Sequence, residues 1–75
     1  MIEFFVIVNL DYTDGLAHYA LETPSLFVAD TLVWDETHNV WDANMYRSYE
    51  AAVEDMVRYK KEHGCDYCRI DKIWR

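Results

Sequence analysis

The stretch SYEAAVEDMVRYKKEHG, residues 48–64, contains the signals of a complete α-helix. Ser48 is a favourable N-cap residue, because its hydroxyl can accept a hydrogen bond from an N–H group of the first turn. Gly64 suits the position after the last turn, where the backbone often becomes left-handed. The apolar residues between them recur at intervals of three and four, namely Tyr49, Ala52, Val53, Met56 and Val57. This pattern predicts one amphipathic helix over residues 49–63.

Residues 2–11, IEFFVIVNLD, alternate as a β-strand with one apolar face does. That face would consist of Ile2, Phe4, Val6, Val8 and Leu10. The dipeptide Asp14-Gly15 follows and favours a type I′ turn, since both central positions of that turn need a positive φ. The pairs across the resulting hairpin would be Leu10 with Tyr19, Val8 with Leu21, and Val6 with Thr23. The helix-forming composition of LAHYALE, residues 16–22, leaves a helix open as the alternative.

The tripeptide Val-Trp-Asp occurs twice, at residues 33–35 and 40–42. Residues 26–34, LFVADTLVW, are typical of a strand, although Thr23-Pro24-Ser25 would also suit the start of a helix. If residues 36–39 form an exposed loop, Trp34 lies opposite Trp41 on a neighbouring strand. The repeat therefore predicts a second hairpin closed by an aromatic pair.

The last segment, residues 66–74, alternates again and predicts a final strand. Together these elements predict an α+β fold with a mostly antiparallel sheet of four or five strands. Two N-terminal hairpins and the C-terminal strand would form the sheet, and the helix would cover its apolar face. We expect residues 1–75 to form a single domain.

The composition is typical of a globular domain, because 52% of the 75 residues are hydrophobic and 16% are aromatic. No apolar run approaches the roughly 20 residues that a membrane-spanning helix needs. No basic segment precedes the first apolar run, so we expect no secretion signal and a cytoplasmic location. The net charge of −7 argues against direct binding to nucleic acid or to an anionic membrane.

The charge is distributed unevenly along the chain. The first 46 residues hold eight acids and no Lys or Arg, a net charge of −8, whereas the remaining seven bases and six acids give +1. A region of one sign attracts a partner of the opposite sign. The alternative is a solvated face that keeps a small sheet protein soluble.

The segment HGCDYC, residues 63–68, is the one concentration of soft metal ligands. A structural zinc site needs four ligands, and only one cysteine pair is present. A redox-active pair normally lies at a helix N-terminus, where the dipole lowers the thiol pKa, whereas this pair follows a helix C-terminus. We expect Cys68 to be a small core residue and Cys65 to have no particular role. We predict no catalytic residue, no metal site and no cofactor.

In size and acidity the chain resembles the small phage-encoded inhibitors of the anti-CRISPR type. The resemblance is carried by the acidic block at residues 3–42 and by the helix opening YRSYEAAVEDM, residues 46–56. It implies a non-enzymatic protein in the host cytoplasm that docks on a basic protein surface and blocks a nucleic-acid-binding site. The acids do not recur at every second strand position, so charge complementarity is favoured over close imitation of a phosphate backbone.

Aromatic residues beside acids are suited to such an interface, since Tyr and Trp are frequent interface anchors. The residues expected to bind the partner are Asp11, Asp14, Asp30, Trp34, Asp35, Glu36, Trp41 and Asp42. The alternative function is a small structural or assembly protein that forms a homodimer through a sheet edge or an aromatic patch.

Overall fold

The computed structural model describes all residues, 1–75, and contains one four-stranded antiparallel sheet and one α-helix. The strands are β1 (Glu3–Asn9), β2 (His18–Pro24), β3 (Leu32–Thr37) and β4 (Cys68–Trp74), and the helix is α1 (Tyr49–His63). The strand order is β3-β2-β1-β4, so that β3 and β4 form the two edges. The predicted α+β class is confirmed. The helix is neither long nor apolar enough to cross a membrane.

Both ends of α1 form as the sequence predicts. The Ser48 hydroxyl accepts a hydrogen bond of 3.1 Å from the N–H of Ala51. Gly64 has a φ of 80° and its N–H donates to the carbonyl of Lys60. The buried face differs from the predicted one, because Ala52, Met56 and Tyr59 face the sheet while Val57 is exposed. The helix is rotated toward Tyr59, whose ring fills the space above β1 and β2.

Strand β1 is buried on both faces, from Phe5 to Asn9. Ile7 packs under α1, whereas Val6 and Val8 contact the segment around Ala43 on the opposite face. The prediction that α1 covers the face containing Val6 and Val8 was therefore wrong. Because the chain after β3 covers that face, both the odd-numbered and the even-numbered side chains of β1 from Phe5 onward are buried.

Residues 43–46 are inserted between β1 and β2 at one end of the sheet. Phe5 and Tyr46 exchange two backbone hydrogen bonds of 2.8 and 2.9 Å. The N–H of Asn44 donates to the carbonyl of Ala20, and its side-chain oxygen accepts from the N–H of Glu22. The two central strands therefore separate, and the inserted segment satisfies their backbone groups.

The connection from β1 to β2 is wider than the predicted two-residue turn. The observed register pairs Val8 with Tyr19 and Asn9 with His18, two residues away from the predicted one. Of the two central residues of that turn, Gly15 has a positive φ and Asp14 does not. The type I′ turn at Asp14-Gly15 therefore does not form. The Asp14 carboxylate instead accepts from the N–H of Leu16, a local bond that competes with the tight turn.

The second predicted hairpin was also wrong. Strand β3 starts at Leu32 and pairs with β2, while residues 26–31 form the loop between them. The second Val-Trp-Asp, Val40–Asp42, is a 3-10 turn whose N-cap Asn39 accepts a hydrogen bond from the N–H of Trp41. Trp34 contacts the ring of Tyr59, whereas Trp41 lies beside the Arg75 guanidinium. The two tryptophans therefore do not form a cross-strand pair.

Candidate functional site

A cluster of polar side chains surrounds Glu36, at the end of the sheet where α1 terminates. We call this group the Glu36 cluster; it comprises Asn9, Tyr12, Asp14, His18, Glu36, Tyr59 and His63. Its members come from β1, the β1–β2 loop, β2, β3 and α1. The predicted exposed loop at residues 36–39 was therefore wrong for Glu36, whose side chain is only 16% exposed.

The Glu36 carboxylate receives hydrogen bonds on both oxygens. Tyr12 donates its hydroxyl to Oε1 at 2.6 Å, and Asn9 donates its amide to Oε2 at 3.1 Å. The His63 ring nitrogen lies 3.3 Å from Oε2, and the Tyr59 hydroxyl 3.4 Å. Several donors that converge on one carboxylate hold it in one orientation.

His18 is 5% exposed and lies between two carboxylates. Its Nε2 is 2.8 Å from Oδ2 of Asp14, and its Nδ1 is 3.5 Å from Oε1 of Glu36. An imidazolium ring donates from both nitrogens, whereas a neutral ring has one donor. The ring also stacks on Tyr12, with centroids 3.7 Å apart. The His18 ring is thus held between two carboxylates and the face of Tyr12.

Three tyrosines in or near this region are held in the protonated state. Donation to Glu36 raises the pKa of the Tyr12 hydroxyl to about 12. Burial raises the pKa of Tyr59 above its ordinary value, and burial with donation to Asp55 does the same for Tyr46. The hydrogen bonds of the Glu36 cluster run between side chains of the strands and of α1, so the cluster joins the sheet to the helix.

The structure does not bring the eight predicted partner-binding residues into one patch. Four of them make side-chain hydrogen bonds to residues beyond their immediate neighbour in sequence, namely Asp11, Asp14, Trp34 and Glu36. Asp11 accepts hydrogen bonds from the N–H groups of Asp66 and Tyr67, which lower its pKa. The Trp34 Nε1 donates to Glu62 at 2.8 Å. These four side chains are occupied in the folded protein.

The other four predicted residues, Asp30, Asp35, Trp41 and Asp42, are exposed. Asp35 and Glu36 are neighbours on a strand, and their side chains therefore point to opposite faces of the sheet. The two acids do not form the contact pair that their adjacency in sequence suggested. Asp42 belongs to the 3-10 turn and Asp30 to the β2–β3 loop.

The loop at the tip of the β2–β3 hairpin carries two large apolar side chains that are almost fully exposed to solvent. Leu26 is 94% exposed and Phe27 is 95% exposed. We call this region the hairpin tip; it comprises Leu26, Phe27, Val28, Asp30 and Leu32. Ser25 holds the loop, because its hydroxyl accepts from the N–H groups of Phe27 and Val28. The apolar side chains are therefore displayed by an ordered turn.

A cleft of about 330 Å³ lies next to the hairpin tip, between β3 and the last turn of α1. It is lined by Leu32, Val33, Trp34, Glu62 and His63. Three of these residues are apolar, and Glu62 and His63 make the rest of the wall polar. Such a shape suits a side chain with an aliphatic stem and a positive end.

Neither the Glu36 cluster nor the hairpin tip was predicted from the sequence. Asn9 carried a detectable signal, because it is a polar residue inside an otherwise apolar strand. Leu26 and Phe27 were assigned to a strand because apolar runs favour that interpretation, and no local signal marked their exposure. Comparison with protein-family models, with curated proteins and with solved structures gave no match.

Proposed function

We propose that the protein is a non-enzymatic binding protein that docks on a basic surface of a partner through the hairpin tip. The observation that carries this proposal is the display of Leu26 and Phe27, almost wholly in solvent, on an ordered loop. Adjacent large apolar side chains held in solvent are a common feature of interaction sites. Asp30 adds negative charge within the same loop, and Asp35 is an exposed acid further along β3.

Charge supports a basic partner. Two acids of the first half form ion pairs within the chain, since Glu22 pairs with Arg58 and Glu3 with Lys72. Asp30, Asp35 and Asp42 have no such cation beside them in the structure. A net charge of −7 remains and favours association with a positively charged surface.

The inhibitor role implied by the resemblance to anti-CRISPR-type proteins fits this mode of binding. Many basic protein surfaces bind nucleic acid, and an acidic protein seated on one would occupy the same positive groups. The partner is then a nucleic-acid-binding protein, and docking reduces its access to DNA or RNA.

The test is capture of partners from the native host by the tagged full chain at low and at high salt. Phe27→Ser should weaken capture at both salt concentrations, because it removes an apolar anchor. Asp30→Lys with Asp35→Lys should weaken it mainly at low salt, because salt screens exposed charges. Glu54→Lys, on the exposed side of α1, is the matched charge control and should leave capture unchanged. Capture of an acidic protein, or indifference to all three changes, would contradict the proposal.

Assembly of the chain with itself is a second candidate, favoured by the two free sheet edges. Against this, the Asp35 carboxylate accepts the N–H of Glu36 and thereby occupies a backbone donor of β3. Light scattering over a range of concentrations separates the candidates: growth into oligomers supports assembly, and a constant monomer mass supports docking on another protein.

A further inference from the structure

Cys65 and Cys68 bring their sulfur atoms into contact at the junction between α1 and β4. The two Sγ atoms are 2.8 Å apart, and both thiols are free. Cys65 is buried against Ile7, Ala20 and Tyr59, and Cys68 is half-buried beside them. Cys68 packs against the core as expected, whereas Cys65, which was expected to have no particular role, is itself a buried core residue.

The four-residue segment that contains the two thiols is fixed by hydrogen bonds from outside it. The Asp11 carboxylate accepts the N–H groups of Asp66 and Tyr67, at 2.9 and 2.8 Å. The carbonyl of Tyr67 accepts from the N–H of Leu10 at 2.8 Å. The segment is thus held with its sulfurs facing each other, and this arrangement favours reaction between them over reaction of either with a separate molecule.

A second cleft gives small molecules a place beside this pair. It has a volume of about 480 Å³ and is lined by Val57, Lys60, Lys61, Cys65 and Asp66. The two ammonium groups outnumber the one carboxylate, so the cleft favours an anionic occupant.

We propose that Cys65 and Cys68 form a dithiol site that low-molecular-weight anionic disulfides, such as oxidised glutathione, convert to an intramolecular disulfide. The Cys68 thiolate attacks one sulfur of the small disulfide, and that S–S bond breaks. The departing thiolate takes up the proton that Cys68 lost. Cys65 then loses its proton and attacks the Cys68 sulfur of the mixed disulfide, which releases the second small thiol. The protein loses two hydrogen atoms, and the small disulfide gains them.

Cys68 is the more accessible thiol, because it is half-buried whereas Cys65 is only 4% exposed, and this gives Cys68 the attacking role. Burial raises the pKa of both thiols, that of Cys65 to about 12. The S–H of Cys65 and the ammonium group of Lys60 act in the opposite direction on Cys68, because both favour its thiolate. Both thiols remain largely protonated near neutral pH, so the reaction should be slow there and should accelerate about tenfold per pH unit.

The test follows the reduced full chain in excess oxidised glutathione by acid quenching, alkylation and mass spectrometry. We expect a product that is about 2 Da lighter and resists alkylation, with little mixed disulfide at any time. Cys65→Ser should instead stop at a mixed disulfide with one glutathione attached. If the unmodified chain accumulates the mixed disulfide to the same level as Cys65→Ser, or if both thiols remain alkylatable, the proposal is wrong.

Two further comparisons test the positioning and the charge. Asp11→Ala releases the segment and should raise the level of mixed disulfide, whereas Glu54→Ala, an exposed acid on α1, should not. Lys60→Gln with Lys61→Gln should slow the reaction with oxidised glutathione severalfold but not that with an uncharged disulfide; Lys72→Gln is the control. Equal rates with both reagents, unaffected by the lysine changes, would overturn the assignment of an anionic substrate.

Discussion

Asn9 on β1 and Tyr59 on α1 are joined by a hydrogen bond of 2.9 Å between the Asn9 amide and the Tyr59 hydroxyl. Both residues are buried, and the same amide also donates to Glu36. Donors and acceptors in a protein core are nearly always paired, because an unpaired one forfeits its hydration without compensation. The bond therefore couples the position of the helix to the polar end of the first strand.

The first prediction concerns this bond. Tyr59→Phe removes the hydroxyl and leaves the Asn9 amide with one acceptor fewer, so the free energy of unfolding should fall by about 1–2 kcal/mol. Urea denaturation measures this difference. Tyr67→Phe, which removes a hydroxyl from an exposed ring, is the control and should change little. Equal loss in the two variants would show that the buried bond contributes nothing specific.

The second prediction concerns acid conditions. Hydrogen bonds from the N–H groups of Asp66 and Tyr67 lower the pKa of Asp11 below its unfolded value of about 3.9. A lowered pKa stabilises the fold above the unfolded value, and this contribution is lost as pH falls through the lower, folded value. The amide resonances of Asp66 and Tyr67 should therefore shift at a pH below about 3.9. Asp11→Asn should abolish that shift, whereas a midpoint near the ordinary value in the unmodified chain would contradict the geometry.

The third prediction concerns alkaline conditions. Donation to Glu36 raises the pKa of Tyr12 to about 12, so the bond stabilises the fold below the unfolded pKa of about 10 and is lost as pH rises between these values. Tyrosinate absorbance, compared between the unmodified chain and Tyr12→Phe, isolates this titration. Glu36→Gln should return the pKa of Tyr12 toward its ordinary value. A Tyr12 that titrates near 10 in the unmodified chain would rule out the contact.

The fourth prediction separates the two tryptophans of the sequence repeat. Trp34 packs against Tyr59 and donates to Glu62, so Trp34→Ala should reduce the free energy of unfolding by about 3 kcal/mol. Trp41 is 49% exposed, and its replacement should cost less than about 1 kcal/mol. The two losses should add in the double variant, because the side chains belong to separate surroundings. A coupling of about 1 kcal/mol between them would indicate that they touch.

The sequence predicted the elements that are determined by interactions between residues close together in the chain. Helix α1 has its cap, its period and its terminal glycine within residues 48–64, and its predicted bounds are confirmed. The strand character of β1 and β4 likewise follows from the alternation in each segment. The fold class then follows, since one helix and several strands allow few layered arrangements.

Non-local contacts determine what the sequence did not show. The segment at residues 43–46 enters the sheet because it forms hydrogen bonds with the backbone groups of Phe5 and Ala20, which lie far away in the chain. The Val-Trp-Asp repeat suggested a symmetric hairpin, yet Asn39 caps a 3-10 turn at its second copy. The sequence suggested that Glu36 is a solvated acid. In the folded chain, Tyr12, Asn9 and His63 surround its carboxylate. Because the residues of the Glu36 cluster come from five separate parts of the chain, no contiguous stretch of sequence indicates the cluster.

The pairing of β1 with β4 has a consequence for how the chain reaches its native state. Residues Glu3 and Trp74 are opposite each other in the sheet, so the first strand is completed by the last. During synthesis the apolar run Phe4–Val8 therefore emerges before its neighbour β4 and remains without it until residues Cys68–Trp74 have been made. Contacts between distant residues slow folding, and an unpaired apolar strand is prone to aggregate in the interval. The nascent chain must therefore keep β1 from aggregating until β4 has been made and can pair with it.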